Sequence, residues 1–191
     1  MSQDSKEILI APGADVFVAE VGSAFPDDPT ESVGEEFTEL GFISEDGAKF
    51  NYGITIGEVK AAQRRLAVRR FVTEEEVLAG FSLEQFNSTN WALAFGGGEF
   101  VESKPGIFTY DFPGGDEALN EKALLLRWKD GDRNYQLGIE RGNVTEGVEV
   151  GLKRSEAAMI PISFKALGGE GEDTVGVTFC TDDTAFTPVG S

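Results

Sequence analysis

Chemistry near neutral pH needs a group that can take or give a proton, and this 191-residue chain contains no histidine. That removes the commonest general base, the usual activator of a nucleophile and the commonest transition-metal ligand. Cys180 is the single cysteine. Next to Phe179 on a strand-like stretch, it reads as a small buried or half-buried residue, not an activated thiolate. Asp130-Gly131-Asp132-Arg133-Asn134 begins like a calcium loop, but Tyr135 stands where that loop needs glycine and Arg141 where it needs a bidentate glutamate. Gly96-Gly97-Gly98 follows a helical stretch, whereas a phosphate cradle precedes one. With 34 Asp and Glu, carboxylate pairs are everywhere and none can be singled out for glycosidase-like work. The reading is a protein without catalytic residues, metal or cofactor.

The groups that remain are charges, and their distribution points to association. Sixteen Lys and Arg against 34 Asp and Glu give a net charge of −18. Such a surface repels nucleic acid unless a local basic patch overrides it. Residues 7–48 carry eleven acids and no base, and no base follows Lys165. Lys60, Arg64, Arg65, Arg69 and Arg70 place five of the 16 bases in eleven positions. A solvated loop is the plain reading of such a run. The sharper reading is that acidic arms and a basic loop meet on neighbouring copies, since complementary patches set register and encounter.

These charges hang on a chain that reads as mainly β. Val77, Ala79, Phe81 and Leu83 recur at every second position, with Glu76, Gly80 and Ser82 between them, as in a strand with one buried face. Leu78 is the one large apolar residue opposite. Asn87 or Ser88 can then cap a short helix, with Trp91 and Phe95 one turn apart and packed on the sheet, and Gly96 to end it. Residues 16–21 read as a short strand or extended arm, as do 8–11. Residues 25–36, with Pro26 and Pro29, read as a loop for a partner to order. Residues 37–43 and 49–56 read as a hairpin about Ser44-Glu45-Asp46-Gly47.

The basic stretch can be written as a helix, but the alternation on both flanks favours a long hairpin with its tip near Leu66. Residues 99–106 read as a turn-rich link and 107–112 as a strand. Residues 123–129 and 134–141 form a second hairpin through Asp130-Gly131. Val144, Val148, Val150 and Leu152 suggest a further strand, as do Ile160, Ile162, Phe164 and Ala166, and then Val175, Val177 and Phe179. Together these indicate a single antiparallel β-sandwich or partly closed barrel over 1–191, with one short flanking helix. An N-terminal arm or loop would cover about 1–36 and a C-terminal arm about 182–191. No stretch approaches the roughly 20 apolar residues of a membrane span, and the N-terminus lacks a long apolar core. The expected protein is made in a cytoplasm, so the sequons at Asn87 and Asn143 read as chance.

Two stretches carry a family resemblance. Ala11-Pro12-Gly13-Ala14-Asp15-Val16-Phe17-Val18-Ala19, followed by Phe37-Thr38-Glu39-Leu40-Gly41-Phe42-Ile43-Ser44-Glu45-Asp46-Gly47, resembles the opening of the major tail proteins, or tail tube proteins, of long-tailed bacteriophages, especially those of actinobacteria. Phe37 stands where that family usually has tryptophan. Residues 76–98 resemble the same family's strand, polar corner and helix ending in Phe95-Gly96-Gly97.

The resemblance implies a sandwich with one flanking helix, six copies closing into a ring whose inner sheets join, and rings stacking into a tube that conducts the genome to the host. It implies a virion tail location, assembly in the host cytoplasm, and the tape measure, tail tip and tail terminator proteins as partners. DNA would pass without specific binding, and no membrane is involved. On the family's plan the lumen strands include 50–63 and 72–83. Glu74, Glu76 and Ser82 then face the lumen, with Glu58 and Lys60 as candidates on the partner strand, unless a one-residue bulge reverses the face. Arg64, Arg65, Arg69 and Arg70 form an intersubunit clamp for acidic arms. Phe81, Leu83, Trp91 and Phe95 are core and helix-packing residues. The alternatives are a monomeric β-sandwich binding or virion decoration module and a capsid or head-completion subunit.

Overall fold

The computed structural model describes residues 8–186 apart from 12, 61, 63, 115–119, 146, 153, 155–156 and 169–175. Its strands are β1 (Asp15–Glu20), β2 (Thr38–Glu39), β3 (Lys49–Val59), β4 (Arg69–Leu83), β5 (Glu99–Lys104), β6 (Ile107–Asp111), β7 (Lys122–Asp130), β8 (Arg133–Val144), β9 (Ile160–Ala166) and β10 (Val177–Thr181). One short helix, α1 (Ser88–Ala94), follows β4. The main sheet runs β2-β1-β7-β8-β9-β4-β3, with β10 also on β8, and all its pairs are antiparallel.

Strand β8 belongs to two limbs. Its first half pairs with β7 and β10, and its last residues, Gly142 to Val144, pair with β9. The limbs face each other across one apolar core. Val16, Val18, Leu124, Leu126, Leu137 and Ile139 come from one limb, and Ala79, Phe81, Leu83, Ile160, Ile162 and Phe164 from the other. This is the expected β-sandwich, without closure into a barrel. The alternation of β4 is as read, since Val77, Ala79, Phe81 and Leu83 are all buried.

Helix α1 starts where Asn87 Oδ1 accepts from the Asn90 amide at 2.8 Å, and Gly96, at φ 74°, ends it. Leu93, Ala94 and Asn90 are its buried residues. Asn90 Nδ2 donates to the carbonyls of Leu40 (2.9 Å) and Gln85 (2.8 Å), which ties the helix start to the segment that leaves β2. Trp91 and Phe95 stack at 4.8 Å and pack half-buried at the edge of the core, and their other ring neighbours are Phe86, Tyr110 and Phe112. The helical aromatics thus anchor the β5–β6 hairpin as well as the sheet they follow.

Several expectations need correction. Residues 37–43 and β3 do not pair with each other. The Leu40 amide donates to Val16 O and the Glu84 amide to Phe42 O, so this segment crosses from the edge of β1 to the end of β4, and β3 pairs with β4 instead. The turn at Ser44 forms, with the Gly47 amide donating to Ser44 O at 2.9 Å, yet it is not a hairpin turn. Residues 99–104 are a strand, not a link, because β6 offers them a partner. Residues 147–152 form no strand, and Leu152 is exposed.

The N-terminal arm is also shorter than expected, since Asp15–Glu20 is a core strand. The loop at 25–36 lies on its own sheet, where Phe25 and Val33 pack against Phe37, Ala123 and Leu125. Buried Gln136 donates to Pro26 O at 2.7 Å and accepts from Arg127, whose guanidinium also reaches the carbonyls of Asp28 and Glu31. At the other end, Asp182 and Asp183 are clasped to β8 through Asn134, Tyr135 and Arg133. The expected C-terminal arm therefore does not begin at 182. Val175 and residues 187–191 lie outside the described residues.

Candidate functional site

The long β3–β4 hairpin dominates the surface, and its tip lies as expected in the loop around exposed Leu66, closed by the Val68 amide donating to Val59 O. Among the described residues no helix forms there. Strand β9 pairs with β4 only from Leu78 to Leu83. From Glu76 to Arg69 the strand β4 therefore has β3 as its one partner, and this two-stranded blade extends roughly 25–30 Å beyond the last three-stranded pair. The far edge of β3 carries no partner strand among the described residues. An isolated two-stranded ribbon is marginal in water, and an unpaired edge invites another chain.

The register fixes which residues share each face of the blade. Phe50 lies opposite Ala79, Tyr52 opposite Val77 and Ile54 opposite Glu75, so these belong to the core-side face. The pairing shifts between Thr55 and Ile56: Thr55 faces Glu74, Ile56 faces Val72, and Thr73 is the extra residue of a β-bulge. Beyond the bulge the core-side face continues with Ile56, Val72, Glu58 and Arg70. Phe50, Tyr52, Ile54, Ile56 and Val72 are each about half exposed, a stripe of apolar surface running out from the core. The opposite face presents Lys49, Asn51, Thr55, Glu74, Glu76 and Ser82, continued on β9 by Ser163 and Lys165, with Leu78 and, beyond the bulge, Phe71 and Val59 as its large apolar members.

The bulge separates residues that the sequence placed together. Glu74, Glu76 and Ser82 share the polar face, but Glu58 is on the core-side face, where it pairs with Arg70 at 2.9 Å and with Lys60 at 3.8 Å. Glu58 and Lys60 therefore cannot line one surface with Glu74 and Glu76. Glu76 is itself paired with Lys165 at 2.6 Å, a partner nonlocal in sequence, whereas Glu74 has no ion-pair partner among the described residues. Of the basic cluster, Arg64, Arg65 and Arg69 likewise have no acid partner among the described residues. Phe81 and Leu83 are core, as expected.

A second feature lies at the base of the blade. A cavity of about 690 Å³ opens between the limbs, with Leu126, Trp128, Leu137, Phe179 and Phe50 in its wall and the Glu45-Asp46 turn at its rim. Its wall is mainly apolar, and its titratable groups, Glu45, Asp46 and Lys49, are exposed. Cys180, on the other face of β10 from Phe179, is half-buried and donates to Asp27 O, while burial, followed by the carboxylates of Asp28, Asp27 and Asp182, pushes its thiol up from the ordinary value. A raised thiol is a poor nucleophile. Among the described residues, no group of three or more Cys, Asp and Glu side chains could hold a metal ion.

Among the described residues the blade thus combines an unpartnered strand edge, an apolar underside and guanidiniums without acid partners, and no catalytic constellation. The sequence profile of a family described as phage tail tube protein matches residues 1–191. The chain belongs to the phage tail tube protein family. It is also 26% identical over 186 residues to the major tail protein Gp23 of Mycobacterium phage D29, with 90% of each chain covered. The chain is accordingly a structural subunit of a phage tail tube and a component of the virion, as the motifs at residues 11–47 and 76–98 indicated. No helix among the described residues is long and apolar enough to cross a membrane.

The polar face and apolar underside are what sequence reasoning resolved least. The alternation of Phe50, Tyr52, Ile54 and Ile56 was visible, and it signals a half-buried strand. In the single chain that face has no cover, which a sequence cannot disclose.

Proposed function

We propose that six copies of this tail tube protein close laterally into a ring through the blade, that rings stack, and that the bore conducts phage DNA. The supporting observation is the two-stranded blade, with its unpaired β3 edge and half-exposed apolar stripe. A neighbour that adds to the edge and covers Ile54, Ile56 and Val72 supplies what the ribbon lacks alone. The polar face of β3, β4 and β9 then turns inward, with Glu74, Glu76 and Ser82 toward the bore. With Glu74 and Glu76 set against Lys49 and Lys165, this face is close to neutral and gives phosphate no basic ladder to hold it. Glu58 and Lys60, on the opposite face, belong to the interface side. Arg64, Arg65, Arg69 and Arg70 reach acidic surface on a neighbour. The subunit acts without catalysis, joins tape measure, tail tip and tail terminator proteins, and assembles in the host cytoplasm.

Negative-stain electron microscopy of the purified chain, alone and with a tail-tip complex as initiator, tests this. Hollow six-fold rings or tubes are expected from the native chain, and compact monomers from Ile54→Asp or Ile56→Asp. Monomers of the native chain under every condition, or unimpaired tubes from both variants, would defeat the reading. A monomeric binding module leaves the blade uncovered and has no observation of its own in its favour.

A further inference from the structure

Resting on the self-assembly reading above, we infer that the basic tip of the β3–β4 hairpin of one copy seats Leu66 in the apolar cavity between the limbs of a second copy. Leu66 is 81% exposed, the largest exposure of any apolar residue on the blade. Arg64, Arg65 and Arg69 flank it in the chain, without acid partners among the described residues. An apolar side chain flanked in the chain by guanidiniums matches a receptor with a mainly apolar wall and two carboxylates, against one ammonium, in its lining.

The 690 Å³ cavity is such a receptor. Leu126, Trp128, Leu137 and Phe179 make its wall, and the exposed carboxylates of Glu45 and Asp46 stand at its mouth without ion-pair partners among the described residues. Its volume exceeds that of one leucine side chain and leaves room for the backbone of the entering turn. Arginine at the rim of an apolar socket combines a desolvated anchor with charge pairing that fixes the approach. The contact joins two different patches of the same chain, so it is heterologous and propagates from copy to copy.

Two sets of variants test this in the full-length chain. In a Cys180→Ser background, Leu66→Cys together with Ala48→Cys, a residue of the cavity wall, should yield a disulfide ladder of covalent multimers from assembled tubes. Leu66→Cys with Phe108→Cys on the distant β5–β6 hairpin should not. Arg64→Glu with Arg65→Glu should raise the concentration needed for assembly by about tenfold or more, and Glu45→Arg with Asp46→Arg in the same chain should restore it. Tubes that form normally with no ladder from the Ala48 pair, or a ladder from the Phe108 pair instead, overturn the docking while leaving the tube reading intact. Failure of charge reversal to rescue, with the monomers folded by circular dichroism, overturns it as well. Absence of tubes from the native chain removes both.

Discussion

Removing the side-chain amide of Asn90 should destabilise the subunit more than any other single polar truncation in the helix. Asn90 has no solvent exposure, and its Nδ2 donates to the carbonyls of Leu40 and Gln85 at 2.9 and 2.8 Å. Asn90→Ala deletes two hydrogen bonds worth about 1 kcal/mol each, and it leaves the carbonyl of fully buried Leu40 without a donor, at about 1–3 kcal/mol. The better helix propensity of alanine returns about 0.6 kcal/mol. Deletion of the buried Oδ1, which accepts no hydrogen bond among the described residues, returns part of its desolvation cost. The net loss is about 1–3 kcal/mol, a large share of the roughly 5–15 kcal/mol that holds a domain together. Urea denaturation of the monomer followed by circular dichroism measures it, with an unchanged m-value expected. Asn90→Leu fills the volume but supplies no donor, so it should still lose about 1–3 kcal/mol. A change below about 0.5 kcal/mol for both would refute the assignment of Asn90 as the tie between helix and sheet.

Gly142→Ala should cost about 1–3 kcal/mol by the same assay, because a Cβ there would lie 2.5 Å from the Lys165 carbonyl oxygen and 2.4 Å from the Phe164 ring. A neutral or stabilising result would show that β8 and β9 are looser than their pairing indicates. The C-terminal clasp should open in acid: the Tyr135 hydroxyl, then the Ala185 amide, hold the Asp183 carboxyl below its ordinary range. A lowered folded value means that the clasp contributes fully above the ordinary carboxylate pKa near 3.9, and that this contribution is lost as pH falls through the lower folded value. Fluorescence of Trp128, which stacks on Tyr135 at 5.6 Å, should report the opening in a Trp91→Phe background, and Asp183→Asn should abolish that acid step. In assembled tails Glu74→Lys should slow genome delivery with tubes intact, and should do so more than Glu76→Gln, since Glu76 is already paired with Lys165. Equal delivery by Glu74→Lys and native tails counts against the inward polar face.

Where the sequence could be read, the signal and its cause lay within a few residues. The β4 alternation, the Asn87 cap and the Asp130-Gly131 hairpin are local devices, and all three form as written. The misreadings share one origin, which is that strand partners are nonlocal. Asp46-Gly47 makes its turn, but the flanking segments pair with β1 and β4 because those edges are closer than each other. The valines after Val144 alternate like a strand and find no strand partner among the described residues, although Val148 packs on the core, while Glu99–Lys104 lacks a strong pattern and becomes a strand because β6 lies beside it. The bulge at Thr73 moves Glu58 off the face of Glu74 through one extra residue that no composition or period marks. The docked loop at 25–36 depends on Arg127 and Gln136, about a hundred positions away.

A chain with a net charge of −18 must still gather many copies of itself, and its ion pairs suggest how. Lys122, Arg133, Arg141 and Lys165 are engaged by Glu20, Asp130 with Asp183, Glu121 and Glu76, and Arg127 is spent on carbonyls and Gln136. Four of the nine described basic residues outside 60–70 are thus neutralised within the chain, and a fifth is held by neutral acceptors. The tip keeps three guanidiniums uncommitted among the described residues, carried away from the acidic body on a ribbon. Repulsion between whole subunits acts over distances at which salt screens it, with a Debye length of about 8 Å at physiological ionic strength. A guanidinium in contact with a carboxylate at the mouth of an apolar cavity lies well inside that length and is screened far less. The same charge distribution therefore discourages indiscriminate contact between acidic bodies and concentrates attraction at the tip, where five bases fall within eleven positions, which makes association selective for register.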